Sequence, residues 1–153
     1  MQIVLSATVK FNGDYPGPAK PGRVFVFSDN LSWQSIDGTA VAGLAGTHSG
    51  TLSLRRIAEA DDGVLANEVR VIEYEATFVL NAVAYDGQHL DAGQVTARGV
   101  WYGNKDHHPV DAQGQPVNER RYAVTGGTGP YRVVRGNGFE TADGLTKTLE
   151  IDL

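Results

Sequence analysis

The chain has 153 residues, a net charge of −5 and no cysteine. That length suits one domain with a sizeable core, residues 1–153. The acidic balance argues against a surface built for phosphate backbones, and the lack of cysteine excludes disulfides, thiolate nucleophiles and cysteine-ligated metals. The first residues, Met1-Gln2 and then Ile3 to Val9, form too short and too polar a run for a secretory signal, and no apolar run approaches membrane length. The expectation is a cytoplasmic protein with no nucleic-acid or membrane partner.

Period two dominates the chain. Ile3, Leu5, Ala7, Val9 and Phe11 alternate with Val4, Ser6, Thr8 and Lys10, which reads as a strand. Asn12-Gly13-Asp14 and Tyr15-Pro16-Gly17-Pro18 break it. Arg23 to Ser28 reads as a second strand, and Gly46 to Arg56, with a possible start near Thr39, as a third. Val69 to Leu80 is a long fourth, with Ile72, Tyr74, Ala76, Phe78 and Leu80 on one face. Gln94 to Tyr102, Arg121 to Thr125, Tyr131 to Gly136 and Thr146 to Asp152 complete eight candidates.

No segment reads as a long helix. The stretch Arg55 to Val71 carries Asp61-Asp62-Gly63 in its middle, which favours a hairpin turn. Eight strands joined by short turns suggest an all-β antiparallel barrel. Closure removes exposed sheet edges, and an eight-stranded interior can hold one small ligand. The longest loop, Gly103 to Asn118, contains Lys105-Asp106-His107-His108-Pro109 and reads either as a lid or binding loop or as a disordered tip.

Two stretches carry a family resemblance. Gly22 to Leu31, with Phe25-Val26-Phe27-Ser28-Asp29-Asn30-Leu31, resembles the dirigent strand that ends Phe-Asp-Asp-(Asn/Pro)-Leu, with Ser28 in place of the first Asp. Ala123 to Gly136, containing Gly126-Gly127-Thr128-Gly129-Pro130-Tyr131, resembles the glycine hairpin shared by dirigent proteins and allene oxide cyclases. The resemblance implies an eight-stranded barrel of allene oxide cyclase/dirigent type with an internal apolar cavity, assembled as a homodimer or homotrimer and needing no metal or redox cofactor. It implies a cofactor-independent cyclase or isomerase that guides ring closure, of pericyclic or cycloaddition type and with stereocontrol, of an apolar natural-product intermediate. The alternative is a ligand-binding or stereocontrol barrel without a rate effect. The plant cyclase's first-strand Glu has no counterpart among Ser6, Thr8 and Lys10, so jasmonate-type cyclisation is unsupported. Asp29 matches the second Asp of the dirigent strand, a position that can carry an acid role in that family.

The candidate catalytic set is Asp29, His48, Tyr74 and Arg132. Asp29 and Arg132 would polarise reacting groups, and His48 could hydrogen-bond a substrate carbonyl from the wall; a satisfied structural histidine and a surface arginine are the plain alternatives. Neighbouring Ser49 points to the opposite face from His48, so the two form no nucleophile–base pair. Phe25, Phe27, Trp33, Phe78, Trp101, Tyr102 and Tyr131 are the candidate substrate-binding aromatics, with plain core packing the first alternative for each. Glu73, Glu75 and Thr77 share the opposite face of their strand from Tyr74 and match Thr96 and Arg98 on the next, which predicts cross-strand pairing on an outer face. Val71, Val79 and Val100 fall on those outer faces and suggest an oligomer contact. His107-His108 is a weak metal signal with no clear third ligand, and the expected metal is none. Gly126 to Gly129 lacks the lysine and helix of a phosphate cradle and reads as a tight strand connection.

Overall fold

The structure is a computed structural model that describes residues 2–11, 21–34, 40–58, 68–85, 88–106, 108–143 and 146–152. Its elements in chain order are β1 (Gln2–Phe11), β2 (Val24–Gln34), β3 (Ala40–Ala58), β4 (Val69–Leu80), β5 (Val83–Tyr85), β6 (Gln88–Leu90), β7 (Gly93–Gly103), β8 (Pro109–Val110), β9 (Glu119–Thr128), β10 (Arg135–Thr141) and β11 (Thr146–Asp152). Among the described residues there is no α-helix, only a 3-10 turn at Gly129–Tyr131.

Eight of these strands form an antiparallel ring in simple chain order. Each pairs with the next, from β1 through β2, β3, β4, β7, β9, β10 and β11, and β11 returns to β1. The eight-stranded barrel read from the period-two segments is therefore the fold. A meander needs only local turns, so every polar break in the sequence can serve as a connection without a crossover.

The boundaries differ where turn chemistry was misread. β2 runs on past Ser28 to Gln34, which places Asp29 in mid-strand. The strand expected over Tyr131 to Gly136 is not there. Pro130 lacks an N–H, Gly129–Tyr131 turns as a 3-10 unit, and the strand begins only at Arg135. The hairpin Val83–Leu90 and the two-residue β8 were not anticipated. The turn residues Asn12 to Pro18 and Asp61 to Gly63, and His107, lie outside the described residues.

Alternation decides what enters the barrel. On β4, Ile72, Tyr74, Ala76, Phe78 and Leu80 are buried while Glu75 and Val79 are exposed. The register shift after Leu54 on β3 leaves one extra residue, the exposed Arg55, between the partners of Ile72 and Val71. The core that results is rich in rings, with Phe27, Tyr74, Phe78, Trp101 and Tyr122 joined to Leu31, Leu52, Leu54, Val95, Leu149 and Ile151. Tyr122 fits because it lies across Gly138: a Cβ there would meet the Tyr122 ring at 2.1 Å.

Candidate functional site

Among the described residues four polar or charged side chains are buried with this core: Asp29, His48, Glu140 and Lys147. Burying such groups is costly unless each finds a partner, so their pairing defines the site. Asp29 and His48 are direct cross-strand neighbours on β2 and β3. His48 Nδ1 lies 3.1 Å from Asp29 Oδ2, and His48 Nε2 lies 2.8 Å from the Tyr74 hydroxyl on β4. With Nδ1–H donating to the Asp29 carboxylate, Nε2 keeps its lone pair and accepts from the Tyr74 O–H. Burial, with the Lys147 charge as a second cause, lowers the His48 pKa to about 4 against the opposing pull of Asp29. The imidazole is therefore neutral at pH 7, and hydrogen bonds join Asp29, His48 and Tyr74 into one chain.

The second group is a rung across three neighbouring strands. Glu140 on β10 is the register partner of Arg120 on β9 and of Lys147 on β11. Lys147 Nζ is in direct contact with the Glu140 carboxylate, and Arg120 Nη1 lies 3.4 Å from it. Complete burial lowers the Lys147 pKa to about 7, with the Asp29 charge opposing that shift and the Arg120 charge adding to it. Lys147 Nζ also lies 5.7 Å from the centre of the Tyr74 ring, so the rung and the chain meet at Tyr74.

Aromatic rings connect these groups. Tyr74 stacks on Trp101 with centroids 4.1 Å apart, and His48 sits between Phe27 at 4.6 Å and Phe78 at 4.7 Å. Arg120 lies over the Trp101 ring at 5.4 Å. The Trp101 indole donates its N–H to the Arg121 carbonyl at 2.8 Å.

Three of the four candidate catalytic residues thus come together: Asp29, His48 and Tyr74. The fourth does not. Arg132 is exposed in the turn after Tyr131, beyond the C-terminal end of β9, whereas Arg120 at its N-terminal end reaches the buried rung. Of the aromatics, Phe27, Phe78 and Trp101 are buried around the chain, and Phe25 is half-buried against the core. Tyr102 is half-buried on the face opposite Trp101. Tyr131 is fully buried under Gly93 and Gly127 at the other end of the barrel, and its hydroxyl has no partner among the described residues. Trp33 lies on β2, with its side chain outside the described part of the structure. His89, on β6, is exposed. His108 is exposed on the long loop.

Lys147, Glu140, Arg120 and Tyr122 were missed by sequence reasoning. The signal for Lys147 was present, because it shares its alternation with Leu149 and Ile151 on β11. Arg120 shares a face with Tyr122 and Val124 in the same way.

No family model and no curated protein matches the sequence. Solved structures do match over nearly the whole chain. One described as a pyocyanin demethylase superposes with a TM-score of 0.60 at 20% identity, covering 98% of this chain and all of that one. The chain has the allene oxide cyclase/dirigent-type barrel fold. Two pterocarpan synthase dirigent proteins support the same assignment. The first gives a TM-score of 0.52 at 16% identity, covering 99% of this chain and 84% of its own. The second gives 0.50 at 18%, covering 99% and 91%. Identities this low establish the fold alone. Among the described residues no helix is long and apolar enough to cross a membrane.

Proposed function

We propose that this barrel is a cofactor-independent isomerase that closes a ring in a flat, largely apolar intermediate bearing an acidic hydroxyl and a carbonyl. The observation that carries the reading is the buried Asp29–His48–Tyr74 chain set among stacked rings. The likeness in fold to dirigent proteins named as pterocarpan synthases supports a ring-forming role, and the likeness to a pyocyanin demethylase supports a flat aromatic ligand.

In this reading the rings Phe27, Phe78 and Trp101 hold the substrate folded, and orientation alone can remove several kcal/mol of barrier. The Tyr74 oxygen accepts the acidic proton of the substrate as Tyr74 passes its own proton to His48 Nε2. The imidazolium that forms is stabilised by Asp29. Lys147 faces the developing oxyanion, whose negative charge offsets the Lys147 field that otherwise disfavours a charged His48. The substrate oxygen then bonds to the far carbon of its own enone, the C=C π pair shifts to leave an enolate on the carbonyl oxygen, and the proton returns along the same chain to the carbon next to that carbonyl as C=O re-forms, so atoms and charge balance in a net isomerisation.

The competing reading is a ligand-binding or stereocontrol barrel without a rate effect. It is favoured by the fact that His48 already has a partner on each nitrogen, as a purely structural network would. An ortho-hydroxychalcone separates the two, since its phenol adds across its own enone to give a chiral flavanone. The isomerase reading expects flavanone formed above the spontaneous rate with one enantiomer in excess. A chalcone that binds the barrel yet gives racemic flavanone at the spontaneous rate would leave only the carrier. We further propose a homodimer or homotrimer, because Val24, Val26 and Val79 are exposed on outer strand faces.

A further inference from the structure

The seam between β7 and β9 differs from the rest of the ring. Main-chain pairing there runs from Gln94↔Thr128 to Arg98↔Ala123 and stops, although β7 continues to Gly103 and β9 begins at Glu119. Two features fill the interval. β8 pairs with Tyr102 and Gly103, and the Trp101 indole reaches across to the Arg121 carbonyl. Gly99 fixes that arrangement, because a Cβ there would meet the Arg121 carbonyl at 2.9 Å and the indole nitrogen at 3.2 Å.

The gap leaves a groove of about 690 Å³, within the roughly 300–1,000 Å³ of small-molecule pockets. Its sides include Val100, Tyr102, Val110 and Val117, and Trp101 and Arg120 also line it. We propose that this groove is an entrance site for a flat aromatic ligand carrying a carbonyl or acidic oxygen. The apolar side chains accept the ring, and Arg120 and Arg121 on the β9 side present N–H donors to the oxygen. A ligand there lies one indole away from Tyr74, since Trp101 and Tyr74 stack. The significance of the site for catalysis rests on the ring-closing reading above, whereas its occupancy does not.

The experiment uses the Trp33→Phe protein, in which Trp101 is the single remaining tryptophan. Binding of ortho-hydroxychalcone is followed by quenching of its emission and, independently, by equilibrium dialysis. Saturable quenching is expected. Val100 is 58% exposed, so Val100→Arg blocks the groove without disturbing the core. It should raise the dissociation constant at least tenfold and raise KM by a similar factor, whereas His48→Gln should leave the dissociation constant within twofold. If chalcone measured as bound by dialysis leaves Trp101 unquenched, or if Val100→Arg binds as the parent does, the groove is not the site. Binding that Val100→Arg removes, together with racemic product at the spontaneous rate, keeps the groove and ends the ring-closing reading. Turnover lost in His48→Gln but untouched by Val100→Arg does the opposite.

Discussion

β4 carries two polar systems one residue apart. Outward, Glu73 takes Arg55 Nε at 2.7 Å and Arg98 at 3.0 Å, and Glu75 takes the same Arg98 at 2.7 Å. Inward, Tyr74 joins His48 and Asp29, with Lys147 over its ring. Both systems are cross-strand networks of similar geometry, but the solvent differs. Exposed pairs gain little because water and salt screen them. The inner groups have left water, so each must be matched, and losing one partner strands the other. The lesson is that a polar residue's worth depends on the face of the strand it occupies, and period two sets that face.

The largest expected effect tests the inner rung. Lys147→Met leaves Glu140 buried with only Arg120 at 3.4 Å. It should lower unfolding free energy by about 3–5 kcal/mol in urea denaturation. The double variant Lys147→Met/Glu140→Leu should recover much of that loss. If the single variant unfolds as the parent does, the rung is not a matched buried pair.

A pH series gives the next effect. Unfolded histidine protonates near pH 6.5, whereas folded His48 resists until about pH 4. Between those values the unfolded state binds the extra proton, so stability falls as pH drops from 7 towards 4. This one group contributes up to about 3 kcal/mol of that fall. His48→Gln should flatten that part of the curve, and parallel curves for the two proteins would show that the imidazole is not held neutral.

Glu73→Ala should give the smallest effect. Arg55 and Arg98 hold its carboxyl below the usual range, but the group is on the outside, and the small loss should fade further in high salt. A loss as large as that of Lys147→Met would erase the contrast between the two faces.

Much of this contrast was legible in the sequence. The bounds of β4 and β11 follow from alternation, and Glu73, Glu75 and Arg98 pair outside as their parity predicts. Asp29 was visible only through a family resemblance, because Ser28-Asp29-Asn30 reads locally as a turn rather than a mid-strand position. Lys147 and Glu140 were not seen because charged residues default to solvent, and only their parity with Leu149 and Gly138 argues otherwise. Arg132 stands apart from the other three candidates because Gly129–Tyr131 turns as a 3-10 unit where the sequence reads as strand, which leaves Arg132 exposed. The groove depends on where β7–β9 pairing ends, which alternation does not encode.

The central claim is that chemistry sits on the inner face of β4. It is tested most directly by the rate and enantiomeric excess of flavanone formed from ortho-hydroxychalcone by Tyr74→Phe and Glu73→Ala, each checked for folding by circular dichroism. Tyr74→Phe keeps the stacked ring and removes the hydroxyl that reaches His48, so it should give racemic product at the spontaneous rate, while Glu73→Ala should match the parent. Selective turnover that survives in Tyr74→Phe and disappears in Glu73→Ala would contradict the account and move the site to the outer carboxylates.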